Sequence, residues 1–376
     1  MPEALKEFFS PSLVRRLAAD VRRVHPQFPE NAFVRRATAG LEELELLERA
    51  RHIKSALVET LPPSYPEAIA ILVRSLGPEH TTDELLGVGM APFFYMPHVL
   101  FVAEHGLDDF DVSLDAQYEL TKRFSAESSI RAYIARDPER TFERFERWVR
   151  DPNPHVRRLV SEGTRLRLPW AQRVEWLDDH PARVLEMLEL LKDDPAMVVR
   201  RSVANNLNDL GKVWPELLIQ TCEAWLVDAT PERRALIEHA LRSAVKRGHS
   251  DALRLLGFGQ KAAVSIERVT FDPPRVSIGQ RVTMSFALRS RSSSAQDLLV
   301  DVAVHFVKVR GTARKVFKLK RIKLGPRARV PLSTTLSMAV HTTRKPRPGT
   351  HVVEVIVNGQ PHRAGAFEVL APRKRR

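Results

Sequence analysis

The sequence predicts an all-α domain of stacked helical repeats followed by an all-β sandwich. Three observations carry this: a switch in hydrophobic period near Gly259, an internal helical repeat, and a charge imbalance confined to the C-terminal part. Before the switch, apolar residues recur at spacings of three and four with charges between them, the pattern of amphipathic helices. After it, apolar and polar residues alternate between Gly, Pro and Ser turns, as half-buried strands do. The chain has 376 residues, 43% of them hydrophobic, enough to bury more than one core.

Taken in order, ELELLERARHIKSALVETL (43–61) and PEAIAILVRSL (66–76) read as helices, with prolines near segment starts. DPNPHVRRLVSEG (151–163) and DPAMVVRRSVANN (194–206) share Asp, Pro, Val, Arg, Arg and Val at a shift of 43 residues. A period of roughly 40–47 with two helices per unit is that of HEAT-type repeats. Looser copies cover RFSAESS (123–129) and ERRALIEHALRSAVKRG (232–248). The first part is therefore expected to be a HEAT-like α-solenoid over 1–259, with a concave face suited to an elongated ligand. VTMSFALR, DLLVDVAVHFVKV, KVFKLKRIKL and THVVEVIVNG then predict an immunoglobulin-like β-sandwich over 260–372, without the Cys…Trp…Cys core of antibody domains. A basic tail, 373–376, follows.

The net charge of +13 is unevenly placed: from Val264 onward there are 23 Lys/Arg and 6 Asp/Glu, against 36 and 40 before it. Such clustering points to a polyanionic partner, most simply nucleic acid, with a membrane surface as the lesser alternative. The single cysteine, Cys222, excludes a disulfide framework and any multi-Cys metal site, and suggests a reducing compartment, the cytoplasm. Signal peptide and membrane span find no support, since no stretch approaches roughly 18 uncharged apolar residues. HExxH, GxxxxGK[ST] and GxSxG are absent, and GVG at Gly87–Gly89 lacks the rest of a dinucleotide fingerprint. Neither a metal nor a nucleotide cofactor is expected, and nothing suggests more than a monomer.

The repeats place Arg123 with Glu127, Arg158 with Glu162, and Arg201 with Asn205, each four apart, a spacing that shares one helix face. One such pair is an ordinary surface pair. Repeated, the residues would form a column, where Arg157, Arg158, Arg165, Arg200 and Arg201 could grip phosphates, with Arg123 and Asn205 as further candidate DNA contacts. Carboxylates there oppose DNA binding unless they serve something cationic, which singles out Glu127 and Glu162. Trp170 could hold a cation or stack on a sugar or base, although a Trp in a helical repeat is more often core. Trp148, Trp176, Trp214 and Trp225 read as packing, and His155 and His239 as packed or solvated. Asp209, two turns beyond Arg201, could lie near the column. In the β part, Lys315, Lys318, Lys320 and Arg321, with Arg314 and Lys323, form a candidate phosphate-contacting strand.

SEGTRLRLPWAQR (161–173), with GLDDFDVSLDAQYELTKRFSAESSIR before it and VRRSVANNLNDLGK after it, resembles the AlkC family of DNA alkylation-repair glycosylases, related to AlkD. LKEFFSPSLVRRLA and LPPSYPEAIAILVRSLGP extend the similarity over nearly all of 4–258, and the β segment fits the branch with a C-terminal immunoglobulin-like domain. The resemblance implies hydrolysis of the N-glycosidic bond of cationic alkylated bases, such as 3-methyladenine and 3-methylcytosine, in double-stranded DNA without base flipping. It places the family's acidic residues on Glu127 and Glu162, its aromatic on Trp170, and a further carboxylate on Asp209, with Glu162 the first choice. Asn205 breaks the acidic column in the next unit. Two alternatives stand beside this reading: a noncatalytic binder of damaged or structured DNA, and a protein-interaction scaffold, which leaves the basic β domain unexplained.

Overall fold

The computed structural model describes residues 5–80, 91–341 and 344–371. Gly87–Gly89 and the basic tail at 373–376 lie outside the described residues. The helices are α1 (Pro11–Val24), α2 (Glu30–Thr38), α3 (Leu46–Thr60), α4 (Tyr65–Arg74), α5 (Met96–His105), α6 (Phe110–Thr121), α7 (Ile130–Arg136) and α8 (Pro138–Trp148). They continue with α9 (Pro154–Gly163), α10 (Glu175–Asp179), α11 (Pro181–Leu191), α12 (Met197–Val213), α13 (Pro215–Leu226), α14 (Pro231–Ala240), α15 (Arg242–Arg247) and α16 (Ser250–Leu255). Proline opens six of them, at Pro11, Pro138, Pro154, Pro181, Pro215 and Pro231, where its missing N–H would find no helical partner. In α1, Ser10 Oγ accepts from the Leu13 N–H, and Leu13, Val14, Leu17, Ala18 and Val21 form the buried stripe. α9 packs on α12 and α12 on α14, so equivalent helices of successive repeats are neighbours.

The repeated DP…VRR string has a structural cause. Asp151 Oδ1 accepts from the Asn153 N–H at 2.8 Å, and Arg157 Nη1 reaches back to the Asp151 and Pro152 carbonyls. Forty-three residues on, Asp194 Oδ1 accepts from the Ala196 N–H at 2.8 Å, and Arg200 Nη1 reaches the Asp194 and Pro195 carbonyls. In each copy Asp closes the turn and the first Arg ties it to the helix that follows. The two copies are joined by Arg157, which donates to both oxygens of Asp194 at 2.6 and 2.9 Å.

The strands are β1 (Val264–Asp272), β2 (Arg275–Ser277), β3 (Arg281–Ser290), β4 (Gln296–Val307), β5 (Thr312–Leu324), β6 (Arg329–Ser337), β7 (Gly349–Val357) and β8 (Gln360–Leu370). They form two sheets, β1-β3-β6 and β2-β8-β7-β4-β5, antiparallel except for β2 beside β8. Alternate residues of both sheets, among them Met284, Phe286, Val300, Val302, Val304, Val353 and Val355, meet in one core, giving the sandwich that the period-two pattern predicts. The β7–β8 hairpin turns on Asn358-Gly359, both with positive φ (46° and 79°), a turn matched to strand twist. Asn358 also ties the hairpin to β4 by accepting from the Leu299 N–H and donating to the Asp297 carbonyl.

The change from helix to strand lies between Leu255 and Val264. Compact units divide elsewhere: one holds Met1–Leu218 and Ala224–Ala240, the other Ile219–Glu223 and Leu241–Arg376. Within the second unit Gly248, which ends α15 at φ 80°, would meet the Gly359 carbonyl oxygen at 3.1 Å if it carried a Cβ. Two side-chain-free positions thus allow α15 to pack against the β7–β8 hairpin.

Candidate active site

The candidate carboxylates are joined by two arginines from α9 and the loop after it. Arg158 Nη2 donates to Glu127 Oε2 at 2.9 Å and lies 3.7 Å from Glu162 Oε2. Arg165 Nη1 donates to Glu162 Oε1 at 2.6 Å, and its Nε to Asp209 Oδ2 at 2.8 Å. Lys212 closes the series on Asp209 Oδ1 at 2.6 Å. The order Glu127, Arg158, Glu162, Arg165, Asp209, Lys212 is a rail of alternating charge, in which each inner group touches two of opposite sign.

The rail is graded in exposure. Asp209 and Glu162 are buried, whereas the Glu127 side chain keeps 27% of its surface. Glu127 Oε2 takes the Ser125 hydroxyl at 2.6 Å as well as Arg158, and Oε1 accepts nothing from the described residues. Ser202 Oγ donates to Glu162 Oε2 at 2.5 Å. Burial by itself pushes the Glu162 carboxyl up, but Arg158 and Arg165 on either side outweigh it and hold the group below the usual carboxylate range. The anion is thus maintained in a buried place.

Glu127 opens onto a cleft of about 230 Å³ whose walls include Arg51, Phe93, Phe124, Leu168 and Trp170. Trp170 is 74% exposed and has φ 63°, a left-handed backbone uncommon for a residue with a side chain. The structure therefore brings Glu127 and Trp170 to one cleft, while Glu162 and Asp209 stand behind Glu127 along the rail.

Several residues expected on the same face lie elsewhere. α6 ends at Thr121 and α7 begins at Ile130, so Arg123 and Glu127 sit in the connecting turn rather than on one helix. Arg123 binds Glu119 and the Gly77 carbonyl, and Glu127 is paired from α9 instead. Arg157 is taken up by Asp194, Arg165 by two carboxylates, and Arg200 by two carbonyls, so these guanidinium groups hold the repeats and the rail together. Asn205 Oδ1 lies 3.1 Å from His239 Nε2. Arg201 is exposed. Trp148 and Trp225 are buried as packing residues, but Trp214, expected among them, is 42% exposed, its Nε1 donating to the Asp178 carbonyl. Sequence reasoning missed Ser125, Ser202 and Arg51. Ser202 had a signal: it stands one repeat after Leu159, a polar residue at an apolar repeat position.

In β5, Arg314, Lys315, Lys318, Lys320, Arg321 and Lys323 are all exposed, on an edge strand. A bulge leaves Leu319 outside the strand register, since Val300 pairs with Lys320 and Asp301 with Lys318. Arg321 is held over the Phe258 ring at 5.4 Å. Among the described residues no cluster of His, Cys, Asp and Glu is arranged to hold a metal ion, and no helix is long and apolar enough to cross a membrane.

Three comparisons place the chain among known proteins. Residues 265–371 match the family model described as the C-terminal Ig-like domain of uncharacterised protein YhaZ. The Bacillus subtilis (strain 168) uncharacterized protein YhaZ is 34% identical over 369 residues, covering 97% of this chain and 99% of the relative. The structure of the Pseudomonas fluorescens alkylpurine DNA glycosylase AlkC, bound to DNA containing an abasic site analog, superposes with a TM-score of 0.90 at 37% identity, over 98% of this chain and all of that one.

Proposed function

The chain belongs to the AlkC family, in the branch with a C-terminal immunoglobulin-like domain, and from that membership we propose that it is a DNA glycosylase of alkylation repair. Its substrates in this reading are cationic bases, 3-methyladenine and 3-methylcytosine, in duplex DNA. The observation that carries the reading is the charge rail ending at Glu127 in the cleft that Trp170 walls.

A base that already carries a positive charge leaves without being protonated. The protein has then to stabilise an oxocarbenium-like sugar and to position water. Glu127, with Oε1 unused by the described residues, is the group we assign to the water and the sugar cation. Glu162 keeps Arg158 and Arg165 in place and adds negative potential from behind, and Asp209 fixes the far side of Arg165. Trp170 offers a π-face to the developing cation. Uncharged bases gain little from this field, so selectivity needs neither a tight pocket nor base flipping. The reaction is simple hydrolysis by a monomer, without a cofactor, acting on DNA within the cytoplasm. Phosphate contacts we assign to exposed Arg201 and to Lys315, Lys318, Lys320 and Arg321 of β5.

The test is release of free base from methylated duplex DNA, with binding followed in parallel. Glu127→Gln and Glu162→Gln should each lower single-turnover release by about 10²–10³-fold, the scale for removing one preorganised electrostatic group, while binding stays within about threefold. Tight binding by the unaltered protein without release from any alkylated duplex would establish a noncatalytic DNA binder instead.

A further inference from the structure

The loop that presents Trp170, residues 164–174, is closed twice at its neck. The first closure is Arg131 of α7, 1% exposed, whose Nη1 donates to the Gly163 and Arg165 carbonyls at 2.8 and 2.7 Å and whose Nε donates to the Gln172 carbonyl at 2.7 Å. It grips the loop's incoming and outgoing strands together. The second is Asp178 of α10: Oδ1 accepts from Arg167 at 2.8 Å and Oδ2 from Arg173 Nε at 2.6 Å, three residues before Trp170 and three after it. Leu166, Leu168 and Val174 are buried as anchors, whereas Trp170, with its left-handed backbone, stands exposed at the tip beside Pro169.

The Arg131 closure is a costly arrangement for a loop with no further task. Among the described residues, the hydrogen bonds of Arg131 go to carbonyl groups and none to a carboxylate. Burial accordingly pushes its pKa down to about 10, helped by neighbouring Arg165. A large aromatic held in solvent at positive φ is strain of the kind kept where a ligand is met.

We propose that Arg131 and Asp178 are positioning residues for Trp170: together they fix the 164–174 loop so that the indole stands ready at the cleft of Glu127 before DNA arrives. This rests on the glycosylase reading for its catalytic consequence and on the loop geometry for its structural one. Preorganisation of this kind leaves less ordering to be done when the substrate binds.

The experiment is a double-mutant cycle. Asp178→Asn leaves the Arg131 bonds and the carbonyl that accepts from Trp214 in place, and removes the charge that joins Arg167 to Arg173. Single-turnover base release at saturating protein should fall roughly tenfold in Asp178→Asn, yet change less than about twofold when the same substitution is made in Trp170→Ala. A merely structural role would give the same fold loss in both backgrounds, and that result overturns the proposal. Arg131→Lys provides the second variant, with the same expected non-additivity. Hydrogen exchange of the 164–173 segment is read alongside and needs no activity: exchange should quicken in Asp178→Asn and in Arg131→Lys. If the unaltered protein released no base, the glycosylase reading would fail, and unchanged exchange in both variants would separately overturn the clasp.

Discussion

Glu162 stays ionised because of its neighbours, and that has a consequence in acid. Its carboxyl is depressed by Arg158 and Arg165 against the push of burial, so its contribution to stability is fully present above the unfolded-state value of about 4.3 and is lost as pH falls through the lower folded value. The contribution of Glu162 to alkylated-base release should therefore persist through the ordinary glutamate range and be lost only below it. Arg158→Ala should move that acid limb upward, as followed by single-turnover rates from pH 7 downward against a no-protein control. An unmoved limb would show that another group sets it. Glu127, Glu162 and Trp170 could be singled out as candidates in the sequence because they sit in or beside recognisable strings. Their pairing was not. Arg158 meets Glu127 across 31 residues of chain and Arg165 meets Asp209 across 44, whereas spacing along one helix reveals only partners three or four apart. Of the arginines read as phosphate ligands, Arg157, Arg158, Arg165 and Arg200 have partners within the protein, hidden for the same reason: a pattern along the chain gives the face, not the partner already waiting there.

At the level of elements, the repeat is held by its turns. Asp194 closes its own turn through the Ala196 N–H and receives the Arg157 fork from the preceding repeat, so one carboxylate serves two units. Asp194→Ala would leave a largely buried guanidinium short of its anion and an N–H without its acceptor. We expect a loss of about 3 kcal/mol and, at about 2–4 °C per kcal/mol for a unit of this size, a fall in melting temperature of about 6–12 °C. Calorimetry checks this, and a change under 2 °C would show the joint to be redundant. The matching letters of the two strings announced the period, and the same bonds recur in both copies. The sequence could not show that the first Arg of each VRR belongs to the architecture while the second is left for other work. Nor could it show where α6 ends, since RFSAESS carries no proline or glycine to interrupt a helix.

For the molecule as a whole, the switch from period 3.6 to period 2 was legible because each domain buries a different kind of surface. The grouping of α15 and α16 with the strands was not, since its contacts, Gly248 against Gly359 among them, join positions more than a hundred residues apart. The charge split was plain, and it carries a prediction on binding. Replacing Lys315, Lys318, Lys320 and Arg321 together by Gln should weaken binding to any duplex and reduce the slope of log K against log salt by up to about 4, with single-turnover release at saturating protein nearly unchanged. A slope that stays the same would place the phosphates elsewhere. The edge on which these residues stand has a second meaning. An unpaired outer strand is an open template on which another chain can add, one copy after the next. β5 is such a strand, and its charges and the kink at Leu319 are what natural sheets use to refuse that growth. The residues we assign to DNA would then also guard this edge when no DNA is present, so the neutralised variant should lose colloidal stability along with its salt dependence.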